Sequence, residues 1–235
     1  MVCNLALARR RGRQATVLSV LGLAVLGVGL VFNFRGQAAY AYAALVLGSV
    51  ASWTGIALAD KWVRRPRADM ALDAGLKGAG RAFVLYHWVL PAEHVLLAPW
   101  GLTVLLPSTV DGPVTIRDGK WREERSLGRR LLILGRRPLG NPPRLAAAEI
   151  DALARRLAAD IPQAAGVPMD AAWVFLKADV AIEGQDEGLP AVAARDLRRW
   201  LRGQKSRPAL GPSQRRALER GLDAVAAEAL GQGPQ

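Results

Sequence analysis

Cysteine and histidine are scarce in this chain of 235 residues. A single cysteine, Cys3, excludes an internal disulfide and a metal site built on several thiolates. Two histidines, His87 and His94, are too few for a zinc site made mainly of imidazoles. We therefore predict no metal site and no resident cofactor.

Lysine is also rare: the chain has 5 lysines against 27 arginines, which we attribute to the base composition of its gene. The formal net charge is +12, but it is unevenly spread. Residues 1–67 carry nine basic and one acidic side chain, and residues 68–235 carry 23 basic and 19 acidic ones. Because most of the excess lies at the N-terminal end, the high isoelectric point is weak evidence for nucleic-acid binding.

Charged residues are absent from two long apolar runs, Thr16–Phe34 and Ala38–Ala59. Each run is long enough to cross the ~30 Å hydrocarbon core of a bilayer as an α-helix. Only a short loop containing Arg35 separates them. The sequence therefore predicts a transmembrane helical hairpin, with helices at about 16–34 and 38–59.

Basic residues flank both outer ends of the hairpin: Arg9, Arg10, Arg11 and Arg13 before it, and Lys61, Arg64, Arg65 and Arg67 after it. Such an excess predicts a multi-pass protein of the cell membrane with both termini and the main domain in the cytoplasm. The alternative is a cleaved signal peptide with a cleavage site at Ala39-Tyr40-Ala41. The first apolar run is longer than the 7–15 residues usual for the hydrophobic region of a signal peptide, which favours the hairpin.

Small residues recur every four positions in the second apolar run. One stripe contains Ala44, Gly48 and Ser52, and another contains Ala51, Gly55 and Ala59. Such stripes let helix backbones approach closely in a membrane. They predict packing against the first helix of the hairpin or, alternatively, dimerisation in the membrane.

The remaining residues are divided into a cytosolic domain at 68–205 and a C-terminal helix and tail at 206–235, after an N-terminal segment at 1–67. Apolar and β-branched runs bounded by Pro and Gly predict an α/β (α+β) fold with a mixed sheet flanked by helices. The predicted strands are Arg81–Leu90, His94–Ala98, Leu102–Leu106, Gly112–Arg117, Lys120–Glu123, Leu131–Leu134, Ala172–Lys177 and Pro190–Ala193. The predicted helices are Ala68–Lys77, Pro143–Ala159, Ala194–Arg202 and Ser213–Leu230, the last with Ser213 as its N-cap.

One stretch of the domain, LPAEHVLLAPWGLTVLLPSTVDGPV, resembles the nuclease-related domain family, called NERD. An acidic residue followed by His and an apolar strand, then Pro-x-Gly and a second apolar strand, stand in the family's order. Trp121 and an Asn141-Pro142 pair that opens a helix follow in the same order. The resemblance spans roughly residues 68–180 and implies a fold of the restriction-endonuclease-like superfamily.

The family's catalytic positions are degenerate in this chain. Nucleases of this superfamily use an acidic pair to hold Mg²⁺ and a lysine to assist the attacking water. The matching positions here are Glu93, Leu106, Ser108 and Leu145, of which only Glu93 carries a charge. The resemblance therefore implies an inactive relative. The alternative is an active Mg²⁺-dependent nuclease in which Asp111 supplies the second carboxylate.

A basic segment follows the pattern, opposed by only Glu123 and Glu124. Its members are Lys120, Arg122, Arg125, Arg129, Arg130, Arg136 and Arg137. They are candidates for binding nucleic-acid phosphates or lipid headgroups, and the alternative is a solvated loop.

The expected partners are membrane lipid, a nucleic acid or protein, and a second copy of the chain. Our first hypothesis is a membrane-anchored, inactive nuclease-related binding module or scaffold, and the alternatives are the active nuclease and a structural protein whose cytosolic domain oligomerises.

Overall fold

The computed structural model describes residues 1–63, 67–110, 112–124 and 139–231. The chain divides into two compact units. We call them the hairpin unit, which contains the described residues of Leu5–Arg67, and the α/β unit, which contains Met1–Asn4 and the described residues from Ala68 onward. The predicted strand Leu131–Leu134 lies outside the described residues.

The hairpin unit consists of two long helices, α1 (Leu5–Phe34) and α2 (Ala38–Trp62). Both are long and apolar enough to cross a membrane. In their most apolar stretches only 17% and 11% of the residues are buried, whereas a helix in the core of a soluble protein is mostly buried. Helix α1 begins well before the predicted run because Ala, Leu and Arg, which make up nine of the eleven residues from 5 to 15, favour the helix.

Small residues form the contact between the two helices. In α1 the buried residues include Ala15, Gly22 and Gly29, and the buried residues of α2 include Ala44 and Gly48. A Cβ atom added at Gly29 would lie 2.8 Å from the Cβ of Ala44. The backbones therefore approach closely, and packing within the hairpin is confirmed as a role of the stripe that begins at Ala44.

The α/β unit contains a mixed sheet of six strands in the order β1-β2-β3-β4-β7-β9. A second sheet, of three strands, has the order β6-β5-β8. The strands are β1 (Val2–Cys3), β2 (Val84–His87), β3 (His94–Ala98), β4 (Gly101–Ser108), β5 (Pro113–Arg117), β6 (Lys120–Glu123), β7 (Met169–Phe175), β8 (Ala181–Glu183) and β9 (Ala191–Ala193). The helices are α3 (Ala68–Leu76), α4 (Pro142–Asp160), α5 (Leu197–Gly203) and α6 (Pro212–Ala229).

The predicted mixed α/β architecture is confirmed. Strands β2, β3 and β4 form an antiparallel meander, and β4 then pairs in parallel with β7. The long connection between these two parallel strands contains β5, β6 and helix α4. A parallel pair needs such a crossover segment. Strand β1 pairs in parallel with β2 at the sheet edge and was not predicted.

Two predicted boundaries were wrong for local reasons. The strand expected at Arg81–Leu90 ends at His87, because Trp88 turns the chain with a positive φ of 55°. The last helix begins at Pro212 after Gly211, so Ser213 lies inside the first turn and is not the N-cap. Proline at this position is favoured because its missing N–H needs no helical partner.

The predicted hairpin at Asp118-Gly119 is confirmed. Strands β5 and β6 pair with Ile116 opposite Trp121. Asp118 and Gly119 have φ values of 50° and 68°, the left-handed conformation that two-residue hairpin turns require.

The six-stranded sheet has an apolar core on each face. One core contains residues of α4 and α6, including Leu153, Leu157, Leu218 and Leu222. The other core contains residues of α3 and α5, including Leu72, Leu76, Leu197 and Leu201, against alternate residues of the same strands. Helix α6 thus buries its apolar stripe in the main core, and the unit is layered as helix, sheet and helix.

Candidate functional site

Two of the positions named in the nuclease-like pattern, Leu106 and Ser108, lie near the C-terminal end of β4. Val95 of β3 pairs with Val104 of β4. Glu93 immediately precedes β3, and Leu106 lies two residues beyond Val104 on β4, so both lie toward the same end of this antiparallel pair. Ser108 lies two residues further along β4, opposite Phe175 of β7. The structure therefore places Glu93, Leu106 and Ser108 toward one end of the six-stranded sheet.

The side chains at this end of the sheet include few of the oxygen ligands and charges that a hydrolytic metal site needs. Glu93 and Leu106 are half-buried, and Ser108 is 7% exposed. The hydroxyl of Ser108 accepts a hydrogen bond from the backbone N–H of Val110 at 3.3 Å. Leu106 stands where a second metal-binding carboxylate is expected, and it offers no oxygen ligand.

The fourth position of the pattern, Leu145, lies on the surface of α4. Its side chain is 47% exposed and sits in the first turn of the helix. Asn141 caps that helix by accepting a hydrogen bond from the backbone N–H of Arg144 at 3.2 Å. The Asn-Pro-Pro sequence therefore serves as a helix start, with proline in the first turn.

Five arginines of the predicted basic segment lie outside the described residues: Arg125, Arg129, Arg130, Arg136 and Arg137. Asp111 lies outside them as well. Lys120 and Arg122 are exposed on β6. Between them, the indole N–H of Trp121 donates to Asp186 at 3.0 Å, and the Trp121 ring packs edge-on against Trp173. Trp121 is thus a packing residue that orients Lys120 and Arg122 outward.

A buried pair of histidines lies on the opposite face of the sheet. His94 is the first residue of β3, and its side chain is only 1% exposed. His87 and His94 are cross-strand partners, and their Nδ1 atoms lie 2.6 Å apart. The Nε2 atom of His87 lies 3.1 Å from Oδ1 of Asp73 on α3.

These contacts define the protonation of the pair. The Nε2–H of His87 donates to the carboxylate of Asp73, which leaves Nδ1 of neutral His87 to accept from Nδ1–H of His94. Burial lowers the pKa of His87, and the hydrogen bond to Asp73 opposes this only in part. A second proton on Nδ1 of His87 would place two N–H groups against each other, so this arrangement requires a neutral His87.

The histidine pair has the chemistry of a proton relay but no route for a substrate. The two rings are fully enclosed, and the indole of Trp88 packs against both. Asp73 connects the pair to α3, so the three residues fix this helix on the sheet. Along the sequence, His87 and His94 are the same number of residues from the centre of the β2–β3 turn. This symmetry is the only signal in the sequence that would have revealed their pairing.

No family model, curated protein or solved structure matches the chain. Among the described residues, no group of three or more His, Cys, Asp or Glu side chains is placed to hold a metal ion.

Proposed function

We propose that the protein is a membrane-anchored, nuclease-related domain that is catalytically inactive and acts as a binding module or scaffold. The observation that supports this most directly is the half-buried Leu106 on β4, which stands where the family's pattern has a metal-binding carboxylate, toward the same end of the sheet as Glu93. An acidic pair at that place would hold a divalent metal, whereas a single carboxylate beside an apolar side chain binds one weakly. The order of a helix, a three-stranded meander, a crossover helix and a parallel strand is compatible with a restriction-endonuclease-like fold.

The anchor in this proposal is the hairpin unit, inserted in the cell membrane with both of its ends in the cytoplasm. Large apolar side chains cover its outer surface, for example Leu23, Phe34, Leu47 and Trp53, each more than 60% exposed. Exposure of this extent in water is unfavourable, at about 25 cal/mol per Å² of apolar surface. Lipid tails remove that cost.

The partner in this proposal is a nucleic acid or another polyanion that contacts the basic segment. Lys120 and Arg122 are exposed on β6 at the start of that segment. The segment contains five more arginines between residues 125 and 137. Guanidinium groups bind phosphate in a bidentate manner, and binding of this kind weakens as salt rises.

The absence of catalysis is tested with the full chain in detergent micelles and supercoiled plasmid, in the presence of Mg²⁺ or Mn²⁺. We expect no cleavage above that of a Glu93→Ala variant. Cleavage that disappears on chelation and in both Glu93→Ala and Asp111→Ala would establish the nuclease with a rearranged site and overturn the proposal.

Binding is tested by retention of DNA on the full chain in nanodiscs of zwitterionic lipid, measured across a series of salt concentrations. We expect retention to fall as salt rises and to be lost in an Arg129→Glu/Arg130→Glu variant. A matched control reverses Arg198 and Arg199, which lie on α5 outside the basic segment. Absence of retention, or equal loss in both variants, would contradict a nucleic-acid site in the basic segment.

A further inference from the structure

A groove on the hairpin unit joins a cluster of cations to an apolar surface. Most of its lining comes from one face of α1, because positions 10, 14, 17 and 21 follow the helical repeat. Helix α2 contributes one side chain. The residues that form its two ends are Arg9, Arg10, Arg13, Val17, Leu21 and Leu58.

The charge of this groove has one sign. Arg9, Arg10 and Arg13 stand at one end, and no carboxylate is among the described residues that line the groove. Three guanidinium groups within two turns of a helix repel one another unless an anion lies between them. Phosphate is the anion that several guanidinium groups bind best, through paired N–H donors.

The apolar end of the groove lies where lipid tails begin. The first residue of the uncharged run is Thr16, and Val17 follows it. Val17 is 58% exposed and Leu21 is 55% exposed, so neither is covered by the hairpin itself. From Arg10 to Leu21 the helix rises about 16 Å, which spans the headgroup region and the first part of the acyl chains.

We propose that this groove is a binding site for one anionic glycerophospholipid. Its phosphate lies among Arg9, Arg10 and Arg13, and one acyl chain lies along Val17, Leu21 and Leu58. The inference rests on the membrane anchoring proposed above, since the groove meets such a lipid only when the hairpin is inserted. It differs from general attraction of basic residues to a membrane because it requires particular side chains.

Substitution of Arg11 provides the matched control. Arg11 lies between Arg10 and Arg13 and is exposed, but it does not line the groove. Arg10→Gln, Arg13→Gln and Arg11→Gln each remove one positive charge from the same helix turn or the next. General surface potential predicts equal effects of the three substitutions, whereas a site predicts that Arg11→Gln has little effect.

The test titrates the detergent-solubilised full chain with phosphatidylglycerol or phosphatidylcholine and counts bound lipids by native mass spectrometry. We expect one saturable phosphatidylglycerol, and about tenfold weaker binding in Arg10→Gln and Arg13→Gln, the loss expected for one charge-assisted contact. Inorganic phosphate should not displace the lipid at concentrations near the lipid's Kd, because it lacks the acyl chain.

Equal weakening by Arg10→Gln and Arg11→Gln, equal retention of phosphatidylcholine, or full displacement by inorganic phosphate would overturn the site. Extraction of native membranes with alkaline carbonate separates this outcome from failure of the anchor. A chain released by carbonate would sink both proposals, and a chain that stays in the membrane but shows no selective lipid would sink only this one.

Discussion

The Nδ1 atoms of His87 and His94 lie 2.6 Å apart across β2 and β3, and Nε2 of His87 reaches the Asp73 carboxylate. One proton is shared between the two rings, and a second proton there would break the contact. Since these are the only histidines of the chain, pH between about 5.5 and 7 acts mainly on this pair.

We predict that the α/β unit loses stability as the pH falls below about 6.5. Burial, as the main cause, lowers the pKa of His87 in the folded protein, so the unfolded state binds more protons in this window. The stability that neutral His87 contributes is fully present above pH 6.5. It decreases as the pH falls, by up to about 1.4 kcal/mol per pH unit for one proton.

The measurement is denaturant unfolding of the full chain in detergent at pH values from 5.5 to 8. A His87→Leu/His94→Leu variant should show a flatter pH dependence in this range, whatever its absolute stability. An unchanged slope in the variant would show that the pair does not govern acid stability.

We predict a loss of stability at high pH that depends on Tyr86. The phenol is buried and donates to Oδ1 of Asp223 on α6 at 2.8 Å. Burial raises the pKa of Tyr86 well above its ordinary value, and the hydrogen bond to Asp223 raises it further. The folded state therefore retains this proton above pH 10, where the unfolded state releases it, so stability falls as the pH rises beyond 10.

Tyr86→Phe should reduce stability at pH 7 by about 1–2 kcal/mol, because Asp223 loses a donor, and should flatten the alkaline limb. Tyr40→Phe is the control, since Tyr40 is exposed on α2. Denaturant unfolding at pH 7 to 11 measures both effects. Equal alkaline slopes in the Tyr86→Phe variant and the wild type would contradict the assignment.

Much of the fold follows from local sequence, while the sites depend on contacts between distant residues. Pro91 and Pro99 flank β3, Gly101 starts β4, and Asp118-Gly119 fixes its hairpin, so these elements were predicted closely. Strand β4 nevertheless continues through Pro107 to Ser108, because both residues pair with β7. Strand β1 has two residues and pairs with β2 more than 80 positions away, which no local pattern reveals. The histidine pair depends on the β2–β3 register, and the positive φ of Trp88 sets where β2 ends.

We predict that Gly22→Ala weakens the hairpin and that Gly27→Ala does not. A Cβ atom at Gly22 would lie 2.4 Å from the backbone nitrogen of Ser52 and 2.9 Å from the carbonyl oxygen of Gly48. At Gly27 no atom lies within 4 Å of the added carbon. Alanine also favours the helix by about 1 kcal/mol over glycine, so Gly27→Ala should be neutral or stabilising.

Unfolding of the full chain by SDS in mixed micelles, followed by helical circular dichroism, measures this difference. Gly55→Ala should resemble Gly22→Ala, since its Cβ would lie 2.6 Å from the backbone nitrogen of Ser19. Equal stability of the Gly22→Ala and Gly27→Ala variants would show that close packing at Gly22 does not hold the hairpin together.

We predict that the loop between α1 and α2 lies on the opposite side of the membrane from the α/β unit. The residue before α1, Asn4, is anchored in that unit: its N–H donates to His87 at 3.1 Å and its side-chain amide donates to Ala229 at 3.2 Å. The chain re-enters the same unit at Ala68, after α2. Because both ends of the hairpin connect to one unit, two crossings place Gln37 across the bilayer from it.

A Cys3→Ser background allows single cysteines to report this arrangement. Gln37→Cys and Ser213→Cys are both at exposed positions, one in the loop and one at the start of α6. A membrane-impermeant maleimide should label only the first in intact cells and only the second in sealed inside-out vesicles. Labelling of both positions from the same side would exclude the hairpin. A mature chain that begins after Ala41 would instead support the cleaved signal peptide, and such a chain would lack β1.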